Sequence, residues 1–363
     1  MQSDCIVVGG GLIGLFCARE LARGGLRVLL LERGLLGREA SWAGAGVLAA
    51  LEPRTTPPAL QALLRYSQER YADLARDLQA ETGIDPEWTR SGLLLVGPDA
   101  EARATAWTTT GTEVEALDAE CLAGLEPALS IPGPAWRVPA VAQIRNPRLL
   151  RALRGALAAA RVAVREHCDV RALRHTKGRI LGVETVGERI DARTVVIAAG
   201  PWSLSLLDGL PHPPVIFPVR GQMLLYRTPP GTLRHIVQHG EVYLVPRRDG
   251  TMLVGSTVEH VGFDKTVTGE ARAALHAAAG ALVPALARQP IAEQWAGLRP
   301  GSGTGMPLIA GHPEVRGLYA NTGHFRNGVV LAPGSARLLC DLILGRAPIV
   351  APEPFAWPAP QSL

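Results

Sequence analysis

The chain has 363 residues, of which 47% are hydrophobic, and a net charge of +4. A chain of this length and hydrophobic content can bury a large core, and we expect two domains. Its 37 basic residues, nearly all of them arginines, are scattered without a basic run, which argues against binding of nucleic acid. The five cysteines are widely separated and form no C-x-x-C pair, so we predict neither a disulfide framework nor a metal site, and we expect a reducing, cytoplasmic location.

The chain opens with a nucleotide-binding pattern. A short apolar strand, residues 5–8, runs into Gly9-x-Gly11-x-x-Gly14 and then into an amphipathic stretch that ends near Arg23. The three glycines allow a tight turn, close approach of the backbone to a pyrophosphate, and close packing of helix on strand. A second apolar strand, residues 28–31, ends at Glu32, where the pattern places the acid that hydrogen-bonds a ribose. These features predict binding of FAD or NAD rather than NADP.

A signal peptide and a membrane span are the two alternatives to this interpretation. Residues 5–18 are nearly all apolar, as in a signal peptide, but Asp4 precedes them, no basic residue does, and four glycines interrupt them. No other stretch reaches the ~18 apolar residues that a membrane span needs. We therefore predict no integral membrane segment.

The rest of the chain alternates between two kinds of pattern. Helices are predicted for residues 57–81 and 146–161. Strands are predicted for 88–98, whose apolar run is 93–96, and for 162–164, 168–170 and 193–200. From residue 215 to 297 the pattern becomes strand-rich, and Arg248-Asp249-Gly250 is a turn sequence suited to an antiparallel hairpin. After residue 306 a strand, a turn and a last helix, residues 329–345, return.

This order predicts an α/β (α+β) fold, in which a discontinuous Rossmann-like nucleotide-binding domain accompanies a mostly antiparallel β-sheet domain for the substrate. We assign residues 1–85, 140–215 and 300–363 to the nucleotide-binding domain. Residues 86–139 and 216–299 form the predicted substrate-binding domain.

The segment Gly323-His324-Phe325-Arg326-Asn327-Gly328 lies at the last predicted strand-to-helix turn. An arginine between glycines at such a turn can hold a carboxylate beside a cofactor, because a guanidinium makes two parallel hydrogen bonds to it. The alternative is a structural arginine paired with an acid of the substrate domain. His324 is assigned no acid–base role.

These motifs together resemble the D-amino-acid oxidase-like FAD oxidoreductases, and most of all the glycine oxidases of bacterial thiazole (thiamine) biosynthesis. The resemblance covers nearly the whole chain. Its motifs are Gly9 to Gly14, Glu32-Arg33, Ala40-Ser41-Trp42-Ala43-Gly44-Ala45-Gly46-Val47, Ala198-Ala199-Gly200-Pro201-Trp202, Tyr243-Leu244-Val245-Pro246-Arg247, Trp295-Ala296-Gly297-Leu298-Arg299-Pro300 and Gly323 to Gly328.

The resemblance implies that the nucleotide-binding domain is an FAD-binding domain. It also implies that Arg326 binds the substrate carboxylate, with Tyr243 and Arg299 helping to orient the substrate. We expect the FAD to be noncovalent, because no cysteine or histidine occurs in residues 35–51 or 294–311. The residues expected to contact the cofactor are Gly9, Gly11, Leu12, Ile13, Gly14, Glu32, Arg33, Ala40, Ser41, Ala45, Gly46, Val47, Val170, Gly200, His324, Phe325, Arg326, Asn327, Gly328, Val329 and Val330.

The function implied is FAD-dependent oxidative deamination of glycine or another small amino acid, with hydride transfer from Cα to flavin N5. The products are a 2-oxo acid (glyoxylate from glycine), ammonia and hydrogen peroxide, so the partners are a small amino acid and O2. The alternatives are a D-amino-acid dehydrogenase, a sarcosine-type oxidase, and a flavin-carrying subunit of a hetero-oligomeric amine-oxidising complex. The resemblance also suggests a homo-oligomer, specifically a homotetramer.

Overall fold

The computed structural model describes residues 3–50 and 55–358. Residues 1, 2, 51–54 and 359–363, which belong to the predicted FAD-binding ranges, lie outside this description. The described strands are β1 (Cys5–Val8), β2 (Val28–Leu31), β3 (Val47–Leu48), β4 (Leu93–Val96), β5 (Glu115–Leu117), β6 (Ala135–Val138), β7 (Ala142–Gln143), β8 (Ala163–Arg165), β9 (Val170–Thr176), β10 (Arg179–Thr185), β11 (Arg189–Asp191), β12 (Thr194–Ile197), β13 (Ile216–Arg227), β14 (Ile236–His239), β15 (Val242–Pro246), β16 (Thr251–Gly255), β17 (Glu293–Ser302), β18 (Leu308–Gly311) and β19 (Leu318–Thr322). The described α-helices are α1 (Leu12–Arg23), α2 (Ala40–Ala43), α3 (Pro58–Thr82), α4 (Ala100–Thr109), α5 (Ala119–Leu125), α6 (Asn146–Ala159), α7 (Ser203–Leu207), α8 (Gly269–Leu282) and α9 (Gly328–Leu344).

The first sheet is Rossmann-like. Its strand order is β18-β19-β12-β1-β2-β8, and the neighbours are parallel except for the edge pair β18 and β19. Both faces are covered, and side chains of β1 alternate between them: Cys5 and Val7 belong to the core beneath α1 and α9, whereas Ile6 and Val8 belong to the core on the other face. The three-stranded sheet β11-β10-β9 lies on that second side, because Val170, Ile180 and Val183 belong to the same core as Ile6 and Val8.

Helix α9 corrects one expectation from the sequence. Residues Phe325–Leu344 are long and apolar enough, by length and composition, to cross a membrane, and no such stretch was expected after the N-terminal one. The helix packs against α1 and α3, and Val330, Leu331, Leu338 and Leu339 are buried in the same core as α1. Its apolarity is therefore that of a core helix, which is hydrophobic on most sides because it is enclosed.

The second sheet has the order β17-β13-β16-β15-β14-β4-β6-β5. All neighbours are antiparallel except β14 and β4, so the predicted combination of a Rossmann-like sheet and a mostly antiparallel one is confirmed. The predicted hairpin is β15 and β16, joined at Arg248-Asp249-Gly250, with Gly250 at φ +83°. Strand β17 runs through the predicted division at 299/300, and the domain boundaries stay a prediction.

Candidate active site

A cavity of about 650 Å³ lies where the two sheets meet. Its size is within the range of sites for small molecules and cofactors. The first sheet contributes the turns that follow β1, β12 and β19, and the segment around α2. The second sheet contributes Gly221, Met223, Gln238, Glu241, Tyr243, Ser256, Gly297, Arg299 and Pro300.

The glycine turn after β1 can take only glycine at two of its positions. Gly9 has φ +111°, and a Cβ there would lie 2.4 Å from the carbonyl oxygen of Ala198. A Cβ on Gly14 would lie 1.8 Å from the carbonyl oxygen of Gly9, so helix and turn pack in direct contact. Gly11, the N-cap of α1, offers no side chain to the first amides of the helix. The Leu12 amide donates to Ser41 Oγ at 2.9 Å, and the positive end of the helix beyond it favours an anionic phosphate. The turn therefore fits the pyrophosphate of a dinucleotide.

Glu32 follows β2 and lines the cavity, 9% exposed. Its carboxylate accepts hydrogen bonds from the backbone N–H of Gly10 at 2.7 Å and of Gly34 at 2.9 Å. These two bonds hold the carboxylate beside the glycine turn, where the dinucleotide-binding pattern places the acid that hydrogen-bonds a ribose. Contact with a ribose stays a prediction.

Side chains from three other elements hold the segment around α2. Asn146 Nδ2 donates to the carbonyls of Ser41 and Gly44 at 2.8 and 3.0 Å, and the indole N–H of Trp295 donates to the Ala43 carbonyl at 3.0 Å. Arg247 on the second sheet donates to the Ala45 carbonyl at 2.6 Å. Burial lowers the pKa of Arg247 to about 10.

Sequence reasoning gave Asn146 and Arg247 no role. Arg247 closed a motif of the resemblance, and that was the only signal available for either residue, because their partners are more than a hundred residues away in the chain.

Most of the predicted site residues line this one cavity: Gly9, Gly11, Leu12, Ile13, Glu32, Arg33, Ala40, Ser41, Ala45, Gly46, Val47, Val170, Gly200, Tyr243, Arg299, His324, Phe325, Arg326, Asn327, Gly328 and Val329. The remaining two lie behind its wall. Gly14 packs on Gly9 beneath the turn, and Val330 is 1% exposed in the core beside α1.

His324 is a neutral imidazole. Its Nε2 lies 2.7 Å from Ser335 Oγ, and that hydroxyl donates to Asn321 Oδ1 at 2.6 Å. Because the hydroxyl proton points to Asn321, the hydrogen between His324 and Ser335 belongs to Nε2. Nδ1 is then an acceptor, and among the described residues it has no hydrogen-bond partner. Burial lowers the pKa of His324 to about 3.

Arg326 enters the cavity from the turn before α9. Its Nη2 donates to Glu241 Oε2 at 2.7 Å, and the two side chains are 28% and 61% exposed. The hydrogen bond to Arg326 is the main reason that the pKa of Glu241 lies below its usual value. Arg326 is thus both a cavity residue and the partner of an acid from the second sheet, as the alternative interpretation required.

Arg299 lies at the same end of the cavity on β17. Its guanidinium donates to Ser256 Oγ at 2.7 Å and to the carbonyls of Thr257 and Arg220 at 3.1 and 3.3 Å. No carboxylate pairs with it in the described part of the chain. A Cβ on Gly221 would lie 2.2 Å from Arg299 Nη2, so this glycine makes room for the guanidinium.

Burial lowers the pKa of Arg299, the Tyr243 hydroxyl beside it opposes this shift, and the positive charge of Arg326 adds to it. Two cations, Arg299 and Arg326, and the Tyr243 hydroxyl therefore lie close enough to interact at the cavity wall. This arrangement favours a carboxylate.

Comparison with known proteins identifies a matching family and related proteins. The sequence model of the family described as "FAD dependent oxidoreductase" matches residues 4–342. The chain is 45% identical to a glycine oxidase of Pseudomonas aeruginosa, over 98% of this chain and 99% of that protein, and 42% identical to one of Pseudomonas putida, over 98% of each. Among solved structures, glycine oxidase from Geobacillus kaustophilus superposes with a TM-score of 0.93 at 31% identity, covering 98% of both chains.

Proposed function

This chain belongs to the FAD dependent oxidoreductase family, and we propose that it is an oxidase of glycine or another small amino acid. The products are the 2-oxo acid, which is glyoxylate from glycine, together with ammonia and hydrogen peroxide. The names of the two Pseudomonas relatives support this substrate class. The observation that carries the proposal is the convergence of Arg326, Arg299 and Tyr243 at one end of a cavity that begins at a dinucleotide-binding turn.

We assign the FAD to this cavity. The glycine turn and α1 would hold the pyrophosphate, Glu32 the ribose, and the segments around α2 and before α9 the flavin. When bound, the FAD would supply the acceptor for the hydride from Cα, and O2 would serve as the final electron acceptor. We propose that it is held without a covalent bond.

The substrate carboxylate would bind the guanidinium of Arg326, with Arg299 adding positive charge and Tyr243 a hydroxyl donor. Two parallel hydrogen bonds from one planar group fix the direction of the adjacent Cα–H bond. Orientation is most of what the chain must supply, since no protein acid or base is required once the amine is neutral. His324 is not a base for the substrate amine, because burial holds the pKa of His324 at about 3.

The start of α9 adds an electrostatic contribution. A short 3₁₀ turn, Phe325–Asn327, leads into α9 at Gly328, and Asn327 and Gly328 line the cavity. The positive end of a helix stabilises negative charge within its first turn. The start of α9 would therefore stabilise the negative charge that develops on a flavin bound beside this turn.

We propose that residues 1–85, 140–215 and 300–363 form the FAD-binding domain and that residues 86–139 and 216–299 form the substrate domain. The protein would act in the cytoplasm as a homotetramer. Analytical ultracentrifugation of the holoenzyme tests the oligomeric state.

The function is tested by mixing the holoenzyme anaerobically with glycine, D-alanine and sarcosine and then admitting air. Glycine is expected to bleach the flavin absorbance, and air to restore it with formation of hydrogen peroxide. Bleaching by D-alanine or sarcosine alone would assign the chain to another member of the family. Bleaching that air does not reverse would make it a dehydrogenase.

A further inference from the structure

The carboxylate on Arg326 comes from the protein itself. Glu241 lies in the turn between β14 and β15, beside Gly240 at φ +55°. It lines the cavity together with Arg326. The 2.7 Å contact between them occupies Arg326 Nη2, a donor that a substrate carboxylate would also use. A substrate that binds Arg326 must therefore share this guanidinium with Glu241 or displace it.

Displacement is favoured by where Glu241 lies. Its side chain is 61% exposed, so water solvates the carboxylate when it leaves Arg326. Arg103 on α4 offers a second cation: its Nη2 is 3.5 Å from Glu241 Oε1, and its Nε is held by Asp99 at 2.6 Å. Glu241 can keep Arg103 as a partner after it releases Arg326, so its carboxylate still has a cation nearby.

A ligand carboxylate has an advantage that Glu241 lacks. Arg299 lies farther inside, carries no carboxylate partner among the described residues, and is close enough to Arg326 for the positive charge of Arg326 to lower its pKa. A carboxylate inside the cavity interacts with both cations, whereas Glu241 contacts Arg326 from the outer side, beside Arg103.

We propose that Glu241 is an internal competitor for the substrate carboxylate: it occupies Arg326 in the free enzyme and is displaced when the substrate binds. The proposal rests on the proposed function, because it takes Arg326 as the carboxylate site. Glu241 thus sets the affinity for the substrate and does not take part in the chemical step.

The experiment compares the wild-type holoenzyme with Glu241→Gln, which keeps the shape of the side chain and removes its charge. The probe is acetate, which has a carboxylate and no amine, titrated while the flavin absorbance is recorded. Acetate is expected to bind Glu241→Gln about two- to fivefold more tightly, which is the effect of removing a solvent-exposed ion pair from the free state. The KM for glycine should fall by the same factor while kcat stays at the wild-type value.

A matched control is Glu101→Gln, which removes the same charge from an exposed position in the first turn of α4 and should leave acetate affinity unchanged. Equal or weaker acetate binding by Glu241→Gln, or no acetate binding by either protein, overturns the proposal. A rise in the KM for glycine would overturn it as well and make Glu241 a partner of the substrate amine. If acetate binds more tightly to Glu241→Gln but glycine reduces none of the proteins, the proposed substrate is wrong and Glu241 still competes with carboxylates.

Discussion

Replacement of Arg326 tests the proposed carboxylate site most directly. Truncating one member of a buried, hydrogen-bonded charge pair costs about 2 to 5 kcal/mol. Arg326 keeps 28% of its side chain exposed, so screening by water places it in the lower part of that range, at about 2 to 3.5 kcal/mol. Arg326→Ala should therefore lower kcat/KM for glycine roughly 30- to 400-fold.

Arg326→Lys separates charge from geometry. It keeps the positive charge but loses the planar pair of donors, so its loss should lie between those of the wild type and the alanine variant. Each variant should retain FAD, because the glycine turn and Glu32, which are proposed to hold the nucleotide, belong to other segments of the chain than Arg326.

The assay is stopped-flow reduction of the flavin by glycine and, as a control substrate, by a primary amine without a carboxylate. The amine should reduce all three proteins at similar rates, because it has no group for Arg326 to bind. Reduction of Arg326→Ala by glycine at the wild-type rate would refute the assignment and move the carboxylate to Arg299. An equal loss for both substrates would mean that the substitution disturbs the flavin itself.

Three further predictions concern the cofactor and the buried histidine. Glu32→Ala should weaken FAD binding by roughly 1 to 3 kcal/mol, measured by fluorescence titration of the apoprotein, because a ribose hydroxyl loses its acceptor; an unchanged Kd would place the ribose elsewhere. Acid precipitation should leave the yellow colour in the supernatant, and a coloured pellet would mean a covalent flavin. His324 has a pKa of about 3 against an ordinary 6.5, so the folded state binds its proton more weakly than the unfolded state does, and stability present above pH 6.5 is lost as the pH falls from 6.5 towards 3. Urea titrations should show a smaller loss across this interval for His324→Gln than for the wild type, and parallel losses would contradict the assignment.

The sequence was most informative where structure depends on local residues. The order strand, glycine turn, helix and strand at the N-terminus is confirmed as β1, α1 and β2, because strand patterning and glycine geometry both act within a few residues. The β15–β16 hairpin is confirmed for the same reason. The three-stranded sheet β11-β10-β9 was missed, although Lys177-Gly178, both with positive φ, is a recognisable hairpin turn between β9 and β10.

Contacts over long separations could not be derived from the sequence. The bond from Arg247 to the Ala45 carbonyl joins residues 202 positions apart, and that from Asn146 to Gly44 joins residues 102 positions apart. Glu241 carried no signal, since an exposed glutamate in a turn is ordinary. The apolar length of α9 was missed, and composition alone does not show whether such a helix is enclosed by the rest of the chain.

The strand order explains why a site can be assembled from the two ends of the chain. Strands β12, β1 and β19 belong to one parallel sheet, β12 pairing with both β1 and β19, so the turns that follow them, at Gly9, Gly200 and Gly323, meet at one edge. The last of these turns carries Arg326, which reaches across the cavity to Glu241 of the second sheet. The ion pair therefore connects the two sheets at the cavity. Under the proposed competition, a substrate carboxylate that displaces Glu241 breaks this ion pair, while the bonds from Trp295 and Arg247 to the segment around α2 remain.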